Sequence, residues 1–263
     1  MKLAFQRRDA WLPVIGGLIA LAWLTLALWA HSPYGRYLDH DDWLQSGFAA
    51  SICRTLPAGS LVLPALLYVG GWLLMTIAMM LPTVLPLLAI FARMTASRPD
   101  RGWLLGLLIA GYLSIWMLFG LLAHGADMGL HAILDANAVL GANGWVVAVV
   151  VLTAAGLFQF SGLKYHCLDK CRTPFSFINE HWSGRGERRQ SFLLGVHHGL
   201  FCVGCCWAIM LLMFVVGTGS VGWMLAIGAG MAIEKNVVWG KRLTGPLGIG
   251  LLLVAAGILA VNM

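Results

Sequence analysis

Five of the six cysteines in this chain occur in two closely spaced groups. Cys202, Cys205 and Cys206 form a C-x-x-C-C motif inside an apolar run, and His198 precedes them by one helical turn. Residues three and four positions apart share one face of a helix, so His198, Cys202 and Cys205 form a stripe with Cys206 at its flank. A single cysteine in such a run is typical of apolar packing, but three thiols beside an imidazole are soft and borderline metal ligands. The motif therefore predicts metal-binding or redox chemistry.

An earlier apolar run contains a second set of sulfur atoms. Met75 and Met79 share a helical face with Trp72, and Met80 lies to one side of that face. The thioethers and the C-x-x-C-C motif both fall near the middle of their runs, which predicts one common depth. Thioethers bind Cu(I) well and Zn(II) poorly, whereas thiolates bind Cu(I), Zn(II) or an iron–sulfur cluster. The mixture favours Cu(I), with ordinary core packing as the alternative for these methionines.

The second cysteine group, Cys167 and Cys171, lies in the longest polar segment expected on the inner side, residues 163–190. Their spacing predicts a soft-metal pair at the cytosolic end of the preceding run, with His166 or His181 as a further ligand. A structural zinc site with the same C-x3-C spacing is an alternative, and so are two inert thiols. Five of the six cysteines are expected within the membrane or on its reducing side, where structural disulfides are rare.

Two further polar sets allow more than one interpretation. The segment 124–143, predicted to be an outer loop, repeats acidic and imidazole side chains at helical spacing on one face: His124, Asp127, His131 and Asp135. This pattern is typical of a site for a hard or borderline ion, or simply of the polar end of a helix.

Glu234 and Lys235 are adjacent in an apolar run and cannot face each other on a helix. Each needs a partner from another helix, either in a structural ion pair or along an ion path.

The composition of the chain indicates which kind of secondary structure positions these residues. The chain has 263 residues, of which 60% are hydrophobic and 11% are charged, whereas a soluble domain has about 25% charged residues. This composition excludes a soluble enzyme and predicts an all-α polytopic membrane protein with one transmembrane domain over residues 1–263, embedded in a lipid bilayer. The net charge of +6 is scattered over short loops, so nucleic acid is not an expected partner.

Seven apolar runs have the length of about 20 residues that a membrane-spanning helix needs: 12–30, 61–91, 103–123, 144–162, 192–216, 219–239 and 245–262. Fifteen of the 17 Lys and Arg residues lie inside if the N-terminus is inside, so the charge bias predicts that the C-terminus is outside. The first run is interpreted as a retained helix because no signal-peptide cleavage site follows it. Pro82 and Pro86 in the second run free backbone carbonyls, which neighbouring helices must satisfy.

Several motifs together resemble a known bacterial family, the predicted metal-binding integral membrane proteins, one member of which acts as a membrane copper chaperone for a polyphenol oxidase. The motifs are W-x-x-M-x-x-x-M-M-x-P from Trp72, K-x-x-C-L-x-x-C-R-x-P from Lys164, G-L-F-C-x-G-C-C-W-x-x-M from Gly199, Trp223-Met224 and Glu234-Lys235. The resemblance covers roughly residues 60–260, which leaves the first helix, 12–30, peripheral. It implies metal binding, copper as the metal, delivery to a client copper oxidase, and a place in the bacterial inner membrane.

The leading interpretation is a Cu(I) chaperone or insertion factor rather than an enzyme. It would bind copper on nine side chains and transfer it by ligand exchange: Cys167, Cys171, Cys202, Cys205, Cys206, Met75, Met79, Met80 and His198. Zinc remains a possible second metal. The alternative is a membrane transporter for copper or another transition metal. A membrane thiol–disulfide oxidoreductase is less favoured, because such enzymes keep a cysteine pair at the oxidising face and here Cys53 is the only outer cysteine.

Overall fold

The computed structural model describes residues 11–31, 62–137, 143–184, 186–216 and 220–263, and Cys53 lies outside these ranges. Regular structure in these ranges is helical. Nine α-helices follow in chain order, with one 3₁₀ turn at Gly240–Leu243: α1 Trp11–Ala30, α2 Val62–Met94, α3 Arg101–Ala136, α4 Trp145–Phe158, α5 Gly162–Arg172, α6 Pro174–His181, α7 Glu187–Val216, α8 Val221–Asn236 and α9 Thr244–Asn262.

Five helices in the described part of the chain are long and apolar enough to cross a membrane: Trp11–Ala30, Val69–Met94, Arg101–Leu134, Glu187–Met213 and Gly240–Asn262. The pair α4 and α5 adds a sixth if the two helices are counted as one bent span. Helix α8, which corresponds to the apolar run 219–239, has 16 residues and is shorter than a usual span. The all-helical architecture is therefore confirmed, and the count of seven stays a prediction.

Two runs differ from their expected shape. The run 144–162 is not one straight helix, because α4 ends at Phe158 and α5 turns away from it by 63°. Ser161 starts the new helix as its N-cap, with its hydroxyl accepting a hydrogen bond from the backbone N–H of Lys164.

The run 103–123 was predicted too short, since α3 continues to Ala136. The polar residues of 124–136 therefore extend a helix of 36 residues, about 54 Å long, instead of forming a loop.

Helix α2 continues through Pro82 and Pro86. A proline cannot donate to the carbonyl four residues earlier, which for Pro82 is Ala78. The indole Nε1 of Trp23 in α1 donates to the Ala78 carbonyl oxygen at 3.1 Å. The neighbouring helix thus satisfies the carbonyl that Pro82 leaves free, as the sequence required.

Helix α7 is the centre of the bundle, and it packs most extensively on α3, with α5 and α4 on its other sides. Small residues allow the close approach of α3 and α7: a Cβ atom on Gly195 would lie 2.0 Å from the Leu108 carbonyl oxygen, and one on Gly111 would lie 2.1 Å from the Phe192 carbonyl oxygen. Helix α2 packs on α3 and α8, and α1 packs on α2. The C-x-x-C-C motif of α7 therefore lies where α3, α5 and α8 meet.

Candidate metal centre

The three thiols of the C-x-x-C-C motif are buried on the inner face of α7. Cys202, Cys205 and Cys206 each have at most 1% of their surface exposed. The thiols of Cys205 and Cys206 donate to the Cys202 carbonyl oxygen at 3.1 and 2.8 Å, as expected for helix positions three and four residues apart. The helix therefore holds the three sulfur atoms in one buried group.

The cysteines of α5 join this group. The Cys171 Sγ lies 4.0 Å from the Cys205 Sγ. Cys167 is buried and packs directly on Gly204 of α7: a Cβ atom added to Gly204 would lie 2.7 Å from the Cys167 Sγ. The sequence placed Cys167 and Cys171 in a separate pair at the cytosolic mouth. The structure packs them on the C-x-x-C-C motif instead, because the bend after α4 lays α5 along α7.

Helix α2 contributes one thioether to the same group. The Met80 Sδ lies 3.9 Å from the Cys206 Sγ. Met79 packs toward α8 instead, because a Cβ atom added to Gly228 would lie 3.5 Å from the Met79 side chain. Met75 is buried. We call Met80 and the five thiols the sulfur cluster: Cys167, Cys171, Cys202, Cys205, Cys206 and Met80. Sequence reasoning gave the greater weight to Met75 and Met79, whereas the methionine next to a thiol is Met80.

A buried ammonium contacts the sulfur cluster. The Lys235 Nζ lies 2.9 Å from the Cys202 Sγ and 3.6 Å from the Cys206 Sγ. The hydroxyl of Tyr112, a residue that sequence reasoning missed, lies 3.0 Å from the same Cys202 Sγ. A charge in an apolar bundle needs a partner. That requirement identified Lys235 as unusual in the sequence, but no sequence pattern indicated that a thiol would be the partner.

Glu234 faces a different neighbour from Lys235, because adjacent helical residues point about 100° apart. Its carboxylate accepts hydrogen bonds from the buried Lys164 Nζ at 3.0 and 3.1 Å and from the Thr244 hydroxyl at 2.9 Å. The guanidinium of Arg172 donates to the Glu234 backbone carbonyl. Each of the two adjacent charges thus has its own partner on another helix. Lys164, which was counted among the inner-loop cations, is instead fully buried in this ion pair.

Two histidines of α7, His197 and His198, precede the C-x-x-C-C motif on the side of the polar end of the helix. His198 is 3% exposed, its ring centroid lies 6.0 Å from that of Tyr112, and Phe177 meets it edge-on at 5.3 Å. Its Nδ1 has no hydrogen-bond partner in the part of the chain that the structure describes. The neighbouring His197 is partly exposed, and its ring centroid lies 4.8 Å from that of His181.

The PpoB2 family, described as a copper chaperone, matches residues 69–259 of this chain. The chain belongs to this copper chaperone family. No curated protein and no solved structure matches it. The matched region contains α2 from Val69 onward, all six residues of the sulfur cluster, and Lys235. The resemblance drawn from the sequence motifs is therefore confirmed, and copper is the metal that the family description implies.

The spacing of the sulfur atoms can be compared with the spacing that a single metal ion requires. Two sulfur ligands that each lie about 2.3 Å from an ion, in a trigonal arrangement, are about 4.0 Å apart. The pairs Cys171–Cys205 and Met80–Cys206 have separations of 4.0 and 3.9 Å. A thioether in the set favours Cu(I) over Zn(II). Among the described residues, no three His, Cys, Asp or Glu side chains form a group that could hold a metal ion, so the fit rests on two sulfur pairs, one of which includes Met80.

The acidic and imidazole positions of 124–135 belong to the C-terminal half of α3. Among them, Asp127 is buried, with 7% of its surface exposed. His131 and Asp135 belong to the same helix, but their side chains lie outside what the structure describes. The ion site expected on this face stays a prediction.

Proposed function

We propose that this protein is an integral membrane Cu(I) chaperone that binds copper on the sulfur cluster and transfers it to a client copper oxidase. The match to the copper chaperone family supports the cargo and the role. The observation that carries the binding site is the meeting of three helices at sulfur atoms, with Cys171 on α5, Cys205 and Cys206 on α7, and Met80 on α2. Met75 and His198 are further ligands in this proposal, whereas Met79 packs against Gly228 of α8 and is left out of it.

We further propose that the chain crosses the bacterial inner membrane seven times, with its N-terminus inside and its C-terminus outside. The seventh span is the run 219–239 around α8. Many apolar side chains face outward from the bundle, among them Val14, Leu122 and Leu253, which are 70%, 65% and 68% exposed. Such a surface suits hydrocarbon. Reporter fusions after residues 93–101 should report the inside and a fusion at the C-terminus the outside. A C-terminus found inside would contradict this arrangement.

Copper transfer by this cluster requires only ligand exchange. Each cysteine that binds the ion releases its thiol proton, and Cu(I) keeps its electron count throughout. One Cu(I) on two thiolates carries one net negative charge, which the Lys235 ammonium at 2.9 Å from the Cys202 Sγ neutralises. Neutrality matters because an uncompensated charge in an apolar bundle is costly. Delivery then replaces these sulfur ligands, one at a time, with ligands of the client.

The test is metal analysis of the protein purified under reducing conditions, with copper, zinc and iron measured together. We expect copper as the main metal, and its loss in a folded Cys202→Ser/Cys205→Ser variant, because serine keeps the size but not the soft donor. Zinc at the two α5 thiols would be a minor second metal. Unchanged copper in the folded variant would refute the site.

Delivery is tested separately with a copper-free polyphenol oxidase as acceptor. The Cu(I)-loaded protein should activate the acceptor in the presence of a chelator that removes free copper. Vectorial copper uptake by proteoliposomes, without activation of the acceptor, would instead show a transporter.

A further inference from the structure

His181 and His197 form an imidazole pair that the sulfur cluster does not include. His181 ends α6, and His197 lies in the first half of α7. Their ring centroids are 4.8 Å apart and their ring planes are inclined by 57°. Both side chains are partly exposed. The pair therefore joins two helices at a place that is accessible from outside the bundle.

The Nδ1 atoms of the two rings differ in their hydrogen bonds. The His181 Nδ1 lies 3.0 Å from the Phe177 carbonyl oxygen, to which it donates when it carries the ring proton. A backbone carbonyl that accepts from one ring nitrogen fixes the tautomer and leaves the other nitrogen as a metal ligand. The His197 Nδ1 is buried and has no hydrogen-bond partner within the described ranges. A buried nitrogen of this kind costs free energy unless it gains a partner.

The pair lies between the polar end of α7 and the sulfur cluster. That end carries Glu187, which pairs with Arg98. His197 precedes Cys202 by five residues, about 7.5 Å along the helix axis. Phe177 stacks on His181 at 4.5 Å and meets the buried His198 at 5.3 Å, so the three rings form a continuous row of contacts from the partly exposed pair to a buried histidine.

We propose that His181 and His197 form a second copper-binding site, an uptake site that receives the ion outside the bundle and passes it to the sulfur cluster. The proposal rests on the chaperone function proposed above. Imidazole nitrogen is a borderline ligand for copper, and the sulfur atoms beyond it are softer. Cu(I) therefore moves toward stronger ligands: copper–nitrogen bonds break as copper–sulfur bonds form, and no electron is transferred.

The first test follows Cu(I) loading of the full-length protein by the ultraviolet absorption of copper–thiolate bonds. The variants His181→Phe and His197→Phe keep an aromatic ring but lose the ligand. We expect loading about tenfold slower, with the same final amount of bound copper, in line with the effect of ligand-shell substitutions on metal sites. His166→Phe is the matched control, because His166 is an exposed histidine of α5 that contacts Phe201. Equal loading rates in all four proteins would overturn the uptake role.

The second test does not depend on the sulfur cluster. In a variant whose five described cysteines are serine, Cu(II) alone is added and its electron paramagnetic resonance spectrum is recorded. We expect hyperfine splitting from two nitrogen ligands, lost with His181→Phe or His197→Phe and kept with His166→Phe. Absence of the nitrogen signal from the folded serine variant would refute the imidazole site. If the wild type fails to load its thiols but this signal is present, only the proposed chaperone site is wrong.

Discussion

Replacement of Met80 by leucine tests whether the sulfur cluster binds copper through a thioether. The Met80 Sδ and the Cys206 Sγ are 3.9 Å apart. If an ion lay about 2.3 Å from each sulfur, the sulfur–ion–sulfur angle would be roughly 115°, close to the trigonal value. Neither helix would need to move. Leucine removes the sulfur and nearly conserves the volume, so the free energy of unfolding should fall by less than about 1.5 kcal/mol.

We expect Met80→Leu to weaken Cu(I) binding by at least about tenfold, which corresponds to about 1.4 kcal/mol of binding free energy. Met79→Leu is the matched control, because Met79 is equally buried in the same helix but packs against Gly228 of α8. It should change the Cu(I) affinity by less than about threefold, since it leaves every sulfur of the cluster in place.

The assay is competition for Cu(I) between each detergent-solubilised protein and a chromophoric chelator under anaerobic conditions. Zn(II) affinity measured on the same samples should be the same for both variants, because thioethers bind Zn(II) poorly. Equal Cu(I) affinity of wild type and Met80→Leu would show that Met80 is only core packing. A loss of Cu(I) in Met79→Leu as large as in Met80→Leu would show that the effect is structural.

Three further predictions follow from packing and charge. Cys171→Ser and Cys205→Ser should each lower Cu(I) affinity. The double variant should lose less binding free energy than the sum of the two single losses, because the two sulfurs, 4.0 Å apart, bind one ion. Additive losses of binding free energy in chelator competition would indicate two sites. Glu234→Gln should lower the free energy of unfolding by about 3–5 kcal/mol, since it leaves a buried ammonium without its carboxylate; unchanged thermal unfolding would refute this. Gly195→Ala should lower the melting temperature, because its Cβ would lie 2.0 Å from a backbone carbonyl oxygen of α3. Gly106→Ala is the control and should not lower it, because the new Cβ would have open space around it. Equal melting temperatures of the two variants would contradict the close helix contact.

Part of the site could be predicted because it depends on local spacing. The C-x-x-C-C motif and its register on one helix follow from the 3.6-residue period, and the family resemblance follows from several motifs together. Met80 could not be distinguished from Met79 in this way. Adjacent helical residues point about 100° apart, so the choice between them depends on how α2 is rotated against α7 and α8, which no local pattern encodes.

The joining of the two cysteine groups depends on a bend of 63° between α4 and α5. Hydropathy merges Gln159 and Ser161 into one apolar run and gives no sign that a new helix begins there. The extension of α3 to Ala136 was missed for the opposite reason, because its polar residues lower the hydropathy of a segment that remains helical. Composition indicates which segments are apolar, but only packing determines where a helix turns.

The contact between Trp23 and the Ala78 carbonyl has a consequence for biosynthesis. In the proposed membrane arrangement, α1 is inserted before the proline-containing part of α2, because chains are made from the N-terminus. The indole that satisfies the Ala78 carbonyl would then already belong to an inserted helix when Pro82 leaves that carbonyl without its usual backbone partner. Helix α1 lies outside the region shared with the copper chaperone family, yet it supplies this hydrogen bond. The contact therefore predicts that the first helix assists the insertion of the segment that carries Met80.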